Sequence, residues 1–349
     1  MSLMNRRGGT AMHGGDNRRT EHMDSLRRAL TGARRATRAQ LAQATGLSAM
    51  TVGKLLAQMQ ARGEVQQDEM LRAPSGRPST VASYCGDYAH FATVCAEQRD
   101  GQSAFALSIF NLFGERVHAE ELRLAEVRED SFDPFFESAR AQGFRLWLAV
   151  FALPGEAEGD CIFISDFEAL LYGRFLPRIR ERFGVETLFE NDVNTAVLGH
   201  AMTAGAGQVC AGAYFPRRYC PGAGAVIDGR ILHGHRHFAG EITFLRGGQP
   251  WPDYDCPDCA AEAIEPLVAA YACVIAPQKM VLYGDFLTPA HMQEIETRLQ
   301  GRLRGQFELK LTAKTRMIPD MERGARQMGL ERMRALLSAQ DEQRGEQSR

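Results

Sequence analysis

Asn191 and Asp192 place an amide donor, an amide acceptor and a carboxylate side by side in the middle of the chain. That set matches adjacent hydroxyls on a sugar, where each oxygen both donates and accepts. The run Glu190-Asn191-Asp192-Val193-Asn194 lies where a short strand over 187–190 gives way to a helix carrying Val197 and Leu198. Polar side chains at the carboxyl end of a strand in an α/β sheet commonly form ligand sites. The same residues suit a plainer task, since Asp192 or Asn194 can cap the helix. Spacing alone leaves both open.

A second polar stretch runs over 222–241, with a hairpin expected at Asp228-Gly229, a pair that favours the tight turn between two strands. It ends at Glu241 after a loop dense in His and Gly. His233, His235 and His237 alternate, so on a strand they would share one face. Metal binding by that face is one reading and a solvated polar surface the other.

A different chemistry is written near the start, over 37–63. Thr37 and Gln40 have capping-box spacing, so a helix begins there and carries Leu41 and Ala44 inward. Gly46 supplies the left-handed residue of a tight turn, and Ser48 caps the next helix. Val52, Leu55, Leu56 and Met59 form its buried stripe and Gly63 ends it. The other face holds Ser48, Thr51, Lys54 and Gln58. Two helices crossed by a three-residue turn, the second with short donors and a cation outward, are the arrangement that enters a DNA major groove. The helix of Leu26, Ala29 and Leu30, broken near Thr31-Gly32, precedes them. Two short strands over 64–80 complete a winged helix, with Arg77 held extended between Gly76 and Pro78. An Arg on such a thread suits the minor groove, although an interdomain linker is needed here as well. Arg38, Ser48, Thr51, Lys54, Gly76 and Arg77 are the candidate DNA contacts.

Composition supports that division. The chain has 349 residues, 44% hydrophobic and 24% charged, which is ordinary for soluble globular proteins and long enough for more than one domain. Residues 1–80 carry a net charge of about +7 and the remainder about −9. A basic head on an acidic body points to nucleic acid at the head. Eight scattered cysteines without a secretory signal read as reduced thiols in a cytoplasmic protein. The longest apolar run, 146–154, is far below the roughly 20 residues that cross a bilayer, so no membrane partner is expected.

The expected order is a disordered head at 1–21, a winged helix at 22–82, an α/β body at 83–338 and a flexible tail at 339–349. Within the body, strands are expected at 89–97, 104–112, 116–124, 146–153, 187–190, 209–215, 223–227 with 230–232, 279–283 and 307–311. Helices are expected at 132–141, 175–183, 260–274, 290–303 and 321–337.

The order of winged helix, Gly-Arg-Pro segment, "ENDVN" and "GAGAVIDGRILHG" followed by "AGE" resembles the ROK family, named for its repressors, open reading frames and sugar kinases. The resemblance runs from about Asp24 nearly to the end. It implies a two-lobed, actin-like and hexokinase-like body with a sugar in the cleft. Asn191, Asp192 and Glu241 would then hydrogen-bond sugar hydroxyls, and Glu262 would match a further acidic contact. Asp192 falls where family kinases keep the base that deprotonates the accepting hydroxyl.

Departures from the family pattern shape the expected function. Kinase members carry an Asp-x-Gly-Gly-Thr turn against the nucleotide phosphates, and here 92–104 offers only Asp100-Gly101. The second phosphate loop reads Arg217-Arg218-Tyr219-Cys220-Pro221-Gly222, with bulky side chains and a proline where a backbone cradle is needed. Phosphoryl transfer depends on that positioning, so no catalysis is expected. The family's structural zinc draws on one His and three Cys. Phe244 stands where the His would fall and only Cys256 and Cys259 remain, so zinc would need help from His237 or Asp255, and no cofactor is expected. The reading is a cytoplasmic DNA-binding regulator, a repressor, that binds operator DNA as a homodimer or homotetramer and senses a sugar. The alternatives are an ATP-dependent sugar kinase and a ligand-blind DNA binder with a degenerate body.

Overall fold

The computed structural model describes residues 13–72, 78–99, 102–203, 205, 207–217, 220–247 and 249–347. They fall into two compact units. Met1–His90, Phe110–Glu115 and Leu330–Arg349 make one; Phe91–Ile109 and Arg116–Gly329 make the other.

The first unit begins with α1 (His13–Ala33), β1 (Arg35–Thr37), α2 (Arg38–Thr45), α3 (Ala49–Ala61), β2 (Val65–Arg72) and β3 (Pro78–Tyr84). The strands form one antiparallel sheet in the order β1-β3-β2, and with three helices this is a winged helix. Local chemistry sets the boundaries. The Thr37 hydroxyl accepts from the Gln40 amide at 3.3 Å while the Gln40 side chain accepts from the Thr37 amide at 2.8 Å, so α2 starts where the capping box predicts. Gly46, at φ 71°, ends it, and the Ser48 hydroxyl caps α3 by accepting from the Thr51 amide at 3.1 Å. Val52, Leu55, Leu56 and Met59 turn inward against Leu26, Leu30 and Leu41, all nearly without solvent exposure.

Three expectations for this unit are corrected. The stretch from His13 to Glu21, expected to be disordered, is the first part of α1, because Thr20 and Met23 bury against the core that begins there. The helix does not break at Thr31-Gly32. Thr31 donates its hydroxyl to the Arg27 carbonyl at 2.7 Å, and the chain stays helical to Ala33. The charged tail is helical too: α9 (Ile318–Gln347) continues past Ser338, and Asp341 is anchored by Arg27 at 2.9 Å and by Arg62. Gly76 and Arg77 lie outside the described residues.

The second unit holds two mixed five-stranded sheets. One contains β4 (His90–Arg99), β5 (Gln102–Asn111), β6 (Arg116–Leu124), β7 (Leu146–Leu153) and β10 (Glu186–Asn191), in the order β10-β7-β4-β5-β6. Helices α4 (Asp133–Ala141) and α5 (Phe175–Phe183) cover it, and the ribbon of β8 (Glu156–Glu158) and β9 (Cys161–Ile164) follows β7. Its core is a cluster of aromatic edges, with Phe105 on Phe132 and Phe151 on Phe175 at centroid distances of 5.1 and 5.0 Å.

The other sheet follows α6 (Asp192–Ala201). It contains β11 (Val209–Tyr214), β12 (Gly222–Ile227), β13 (Arg230–Ile231), β14 (Lys279–Tyr283) and β15 (Lys310–Lys314), in the order β13-β12-β11-β14-β15, with α7 (Pro257–Val274) and α8 (Pro289–Leu303) packed alongside. The hairpin turns at Asp228 and Gly229, both with positive φ. The last strand sits three residues later than periodicity placed it. Lys310–Lys314 pairs in parallel with β14, so the register of the neighbouring strand overrides a weak local pattern.

Candidate functional site

Strand β10 ends where α6 begins, and that junction carries the cleft. The Asn191 side chain accepts from the Val193 and Asn194 amides at 2.9 and 3.1 Å, so it caps α6. Its amide nitrogen donates to the Gly155 carbonyl at 3.2 Å, tying the cap to the segment after β7. The cap is therefore Asn191 and not Asp192 or Asn194 as expected, because the helix begins at Asp192 and only the residue before it can reach the free N–H groups of the first turn. Asp192 accepts from the Val193 amide at 2.8 Å and lines a cavity of 160 Å³ with Glu97, Gly155, Asp166, Asn191, Tyr214, Cys220, Gly222, Glu241 and Thr243. Both sheets of the unit contribute to that wall. Close backbone packing makes it possible: a Cβ on Gly240, at φ 104°, would meet the Ala223 carbonyl oxygen at 2.0 Å, so glycine lets Glu241 reach the cleft beside β12.

Burial governs the charges here. Removal from water pushes the Asp192 carboxyl up to about 7, with the nearby Asp166 charge adding to the shift and backbone N–H groups opposing it. Asp166 is exposed on the rim, yet the surrounding walls raise its carboxyl to about 6. Glu241 is raised by the same cause. The strongest case is Glu156, pushed up to about 8 by burial and then by Glu190, Glu241 and Asp192, with His233 opposing.

Beside the cleft, Glu190 and Glu156 are answered by histidine. His233 Nε2 lies 2.8 Å from Glu190 Oε2, a hydrogen bond that raises the imidazole pKa, and His237 Nδ1 lies 3.6 Å from Glu156 Oε2. The two rings are 4.8 Å apart. The histidines do not alternate on a strand as their spacing predicts. Residues His235–His237 form a tight turn with Arg236 and His237 at positive φ, and this turn, rather than a pleat, brings His233 and His237 together. Glu156 and Asp166 are residues that spacing did not single out. The position of Glu156 straight after Pro154-Gly155 at a strand end was the available signal.

The Glu156→Gln protein should be more stable than the parent at pH 8 and equally stable near pH 4. A raised carboxyl holds its proton in the folded chain while the unfolded chain has lost it, so stability falls from about pH 4.5 to about pH 8 and then levels off. Removing the charge should return a few kcal/mol, on the order of 1.4 kcal/mol per pH unit of that window. Chemical denaturation at the two pH values measures it, and equal effects at both would refute the assignment.

Glu262 does not join the cleft. It is exposed on α7, and the buried glutamate of that helix is Glu265, which accepts from Arg302 at 2.5 Å. Cys256 caps α7, and the Cys259 thiol donates to it at 2.6 Å. The two residues suggested as helpers are engaged elsewhere, His237 beside Glu156 and Asp255 with Arg217 at 3.0 Å. Phe244 is 67% exposed and stacks on Phe238. Among the described residues no group of three or more His, Cys, Asp or Glu side chains gathers as a metal shell. Two thiols do not fit the four-ligand zinc centre that the ROK resemblance implies.

In the first unit, α3 presents Ser48 and Lys54 to solvent, with Thr51 half-buried. Ser48 and Thr51 also hydrogen-bond each other at 2.9 Å, so part of their polar capacity is used in capping. Arg38 lies over Gly53, whose Cβ would stand 3.1 Å from its guanidinium carbon; glycine on α3 makes room for that cation. Arg18, Arg19, Thr51, Lys54 and Gln58 line a shallow groove in which Arg19 donates to Gln58 at 3.1 Å. Arg18 and Arg19 escaped the sequence reading because their stretch looked too polar to fold.

No protein-family model matches the chain, and no curated protein matches it. Solved structures do. A ROK family transcriptional regulator, described as a homolog of the E. coli MLC protein, aligns with a TM-score of 0.62 at 16% identity over 94% of this chain and 99% of its own. A ROK family glucokinase from Streptomyces griseus, solved with glucose and AMPPNP, aligns with a TM-score of 0.53 at 12% identity over 68% of this chain and 98% of its own. ROK hexokinase from Thermus thermophilus gives 0.51 at 16% identity over 67% and 96%. The fold is thus a winged helix joined to the two-lobed body of ROK regulators and kinases, as expected from "ENDVN" and "AGE". Among the described residues no helix is long and apolar enough to cross a membrane.

Proposed function

We propose that the protein is a cytoplasmic transcriptional regulator of the ROK kind, which binds operator DNA through its winged helix and senses a sugar in the Asp192 cleft. The observation that carries this reading is the capped pair α2–α3, whose outward face holds Lys54, Ser48 and Arg38 over an apolar core, next to a groove lined by Arg18 and Arg19. Cations beside an insertable helix supply phosphate affinity, and its polar side chains read base edges. The fold-level likeness to a ROK family transcriptional regulator, spanning 94% of this chain and 99% of that one, supports it.

The cleft is read as a sensor without phosphoryl transfer. Arg217 donates to Asp285 at 2.8 Å and to Asp255 at 3.0 Å, and Pro216 and Pro221 stand in the same loop. Such a loop offers side chains and prolines where a nucleotide needs convergent backbone N–H groups. Asp100, Gly101, Arg218 and Tyr219 lie outside the described residues. Asn191, Asp192 and Glu241 would take the sugar hydroxyls, and the regulator would act as a homodimer or homotetramer. Ligand alters DNA binding only insofar as it favours one conformation over another.

Selection of DNA fragments from a random pool by the purified protein, followed by titration of the winner with and without sugars, tests the reading. A discrete, often two-fold symmetric, site is expected. ATP that raises the melting temperature together with sugar-dependent ADP release would replace it with the kinase reading. Lys54→Ala should weaken binding about equally across sequences and reduce the slope of log affinity against log salt by about 1. Ser48→Ala is a poorer probe, because loss of the α3 cap by itself costs about 1 kcal/mol.

A further inference from the structure

The cleft has a one-sided charge. Glu97, Asp166, Asp192 and Glu241 line it, and no Lys, Arg or His is among its described lining residues. Glu97 is already answered: it accepts from Arg316 at 3.2 Å and from the Met317 amide at 2.8 Å. Glu190 and Glu156, beside the cavity, have His233 and His237. Asp166, Asp192 and Glu241 have no cationic partner of this kind among the described residues. Asp192 is 5% exposed, and one of its oxygens is held by the Val193 amide. Its only other donor is its own backbone N–H, and the side chain lines the cavity. Asp166 is near enough to act on it electrostatically. A buried carboxyl beside a second one, inside a cavity of 160 Å³, stays ionised only where a ligand brings a counter-charge or a donor.

We infer that the effector is an aminated sugar whose protonated amine sits between Asp166 and Asp192, while its hydroxyls meet Asn191 and Glu241. This rests on the sugar-sensing reading above and narrows it. A phosphorylated sugar is the wrong class for the cavity, because the phosphate would face three carboxylates with no described cation in the lining. An ammonium there makes charge-assisted hydrogen bonds to both carboxylates and cancels their mutual repulsion. A plain hydroxyl in its place supplies no positive charge and leaves both carboxylates uncompensated.

The test is isothermal titration of the full-length protein at pH 7 with glucosamine, glucose, N-acetylglucosamine and glucose 6-phosphate. Glucosamine should bind at least about tenfold more tightly than glucose, the factor expected for a hydrogen bond between charged groups. N-acetylglucosamine, which keeps the shape and loses the charge, should forfeit that advantage. Asp166→Asn should cut the ratio of glucosamine to glucose affinity toward one. Glu168→Gln, at an exposed carboxylate outside the lining, should leave the ratio as it is. Glucose binding as tightly as glucosamine, a preference for the phosphate, or an unchanged ratio in Asp166→Asn would overturn the inference and leave sugar sensing standing. No binding by any of the four would remove both.

Discussion

Replacing Arg27 by alanine should destabilise the winged-helix unit by about 3–5 kcal/mol, the usual consequence of removing one partner from a buried ion cluster. Arg27 is 4% exposed and donates to Glu64 at 2.5 Å, to Asp24 at 2.9 Å and to Asp341 at 2.9 Å. Glu64, 1% exposed, also accepts from the Tyr84 hydroxyl at 3.0 Å. Without the guanidinium, Asp341 would keep Arg62, but Glu64 would be a buried carboxylate with only the Tyr84 hydroxyl, and water cannot reach it well enough to compensate. Denaturant unfolding monitored in the head, for instance through a fluorophore on an exposed residue of α3, gives the measurement. A loss below about 1 kcal/mol would mean that the cluster is solvated in solution and behaves as a surface pair. Arg27→Met with Glu64→Gln should recover part of the loss, because it removes the stranded charge and keeps the packing.

The second large effect is expected at a backbone crossing. A Cβ on Gly324 would stand 2.0 Å from the Thr195 carbonyl oxygen, and one on Gly199 would stand 1.9 Å from the Asp320 carbonyl oxygen. Here α6 and the first turns of α9 touch backbone to backbone. Gly324→Ala must push the two helices apart, because the obstacle is a carbonyl group and no side-chain rotation relieves it. Overpacking typically costs 1–3 kcal/mol, and a backbone obstacle places this variant at about 3 kcal/mol or above. Gly301→Ala is the matched control. Gly301 lies within α8 with nothing within 4 Å of the added carbon, so there the same substitution should stabilise by about 0.5–1 kcal/mol. Thermal melts of the two proteins separate the cases, and similar shifts in both would refute the crossing. Since α6 starts at Asp192, displacing it should also disturb the cleft.

Much of the fold was legible because its signals are local. The capping box at Thr37 and Gln40, the left-handed Gly46, the stripe from Val52 to Met59 and the turn at Asp228-Gly229 each follow from a few adjacent side chains and the backbone conformation they permit. The start of α6 was legible in the same way, although its cap is Asn191 and not Asp192 or Asn194. Misreadings arose where a distant partner decided the outcome. Arg18, Arg19 and Thr20 look like a disordered basic arm until α1 is seen running into the core through Met23 and Leu26. The tail beyond Ser338 looks frayed until Asp341 meets Arg27 and Arg62.

By itself the sequence determined the order of elements, the winged helix ahead of an α/β body, and the presence of Asn191, Asp192 and Glu241 as hydrogen-bonding side chains. The tertiary structure decided which acidic groups share a cavity. Asp166 joins Asp192 and Glu241, Glu262 faces solvent, and Cys256 and Cys259 remain a pair without a shell. It also decided the protonation of these groups. A carboxyl pKa is set by the water it loses and the charges it faces, and both depend on residues far away in the chain.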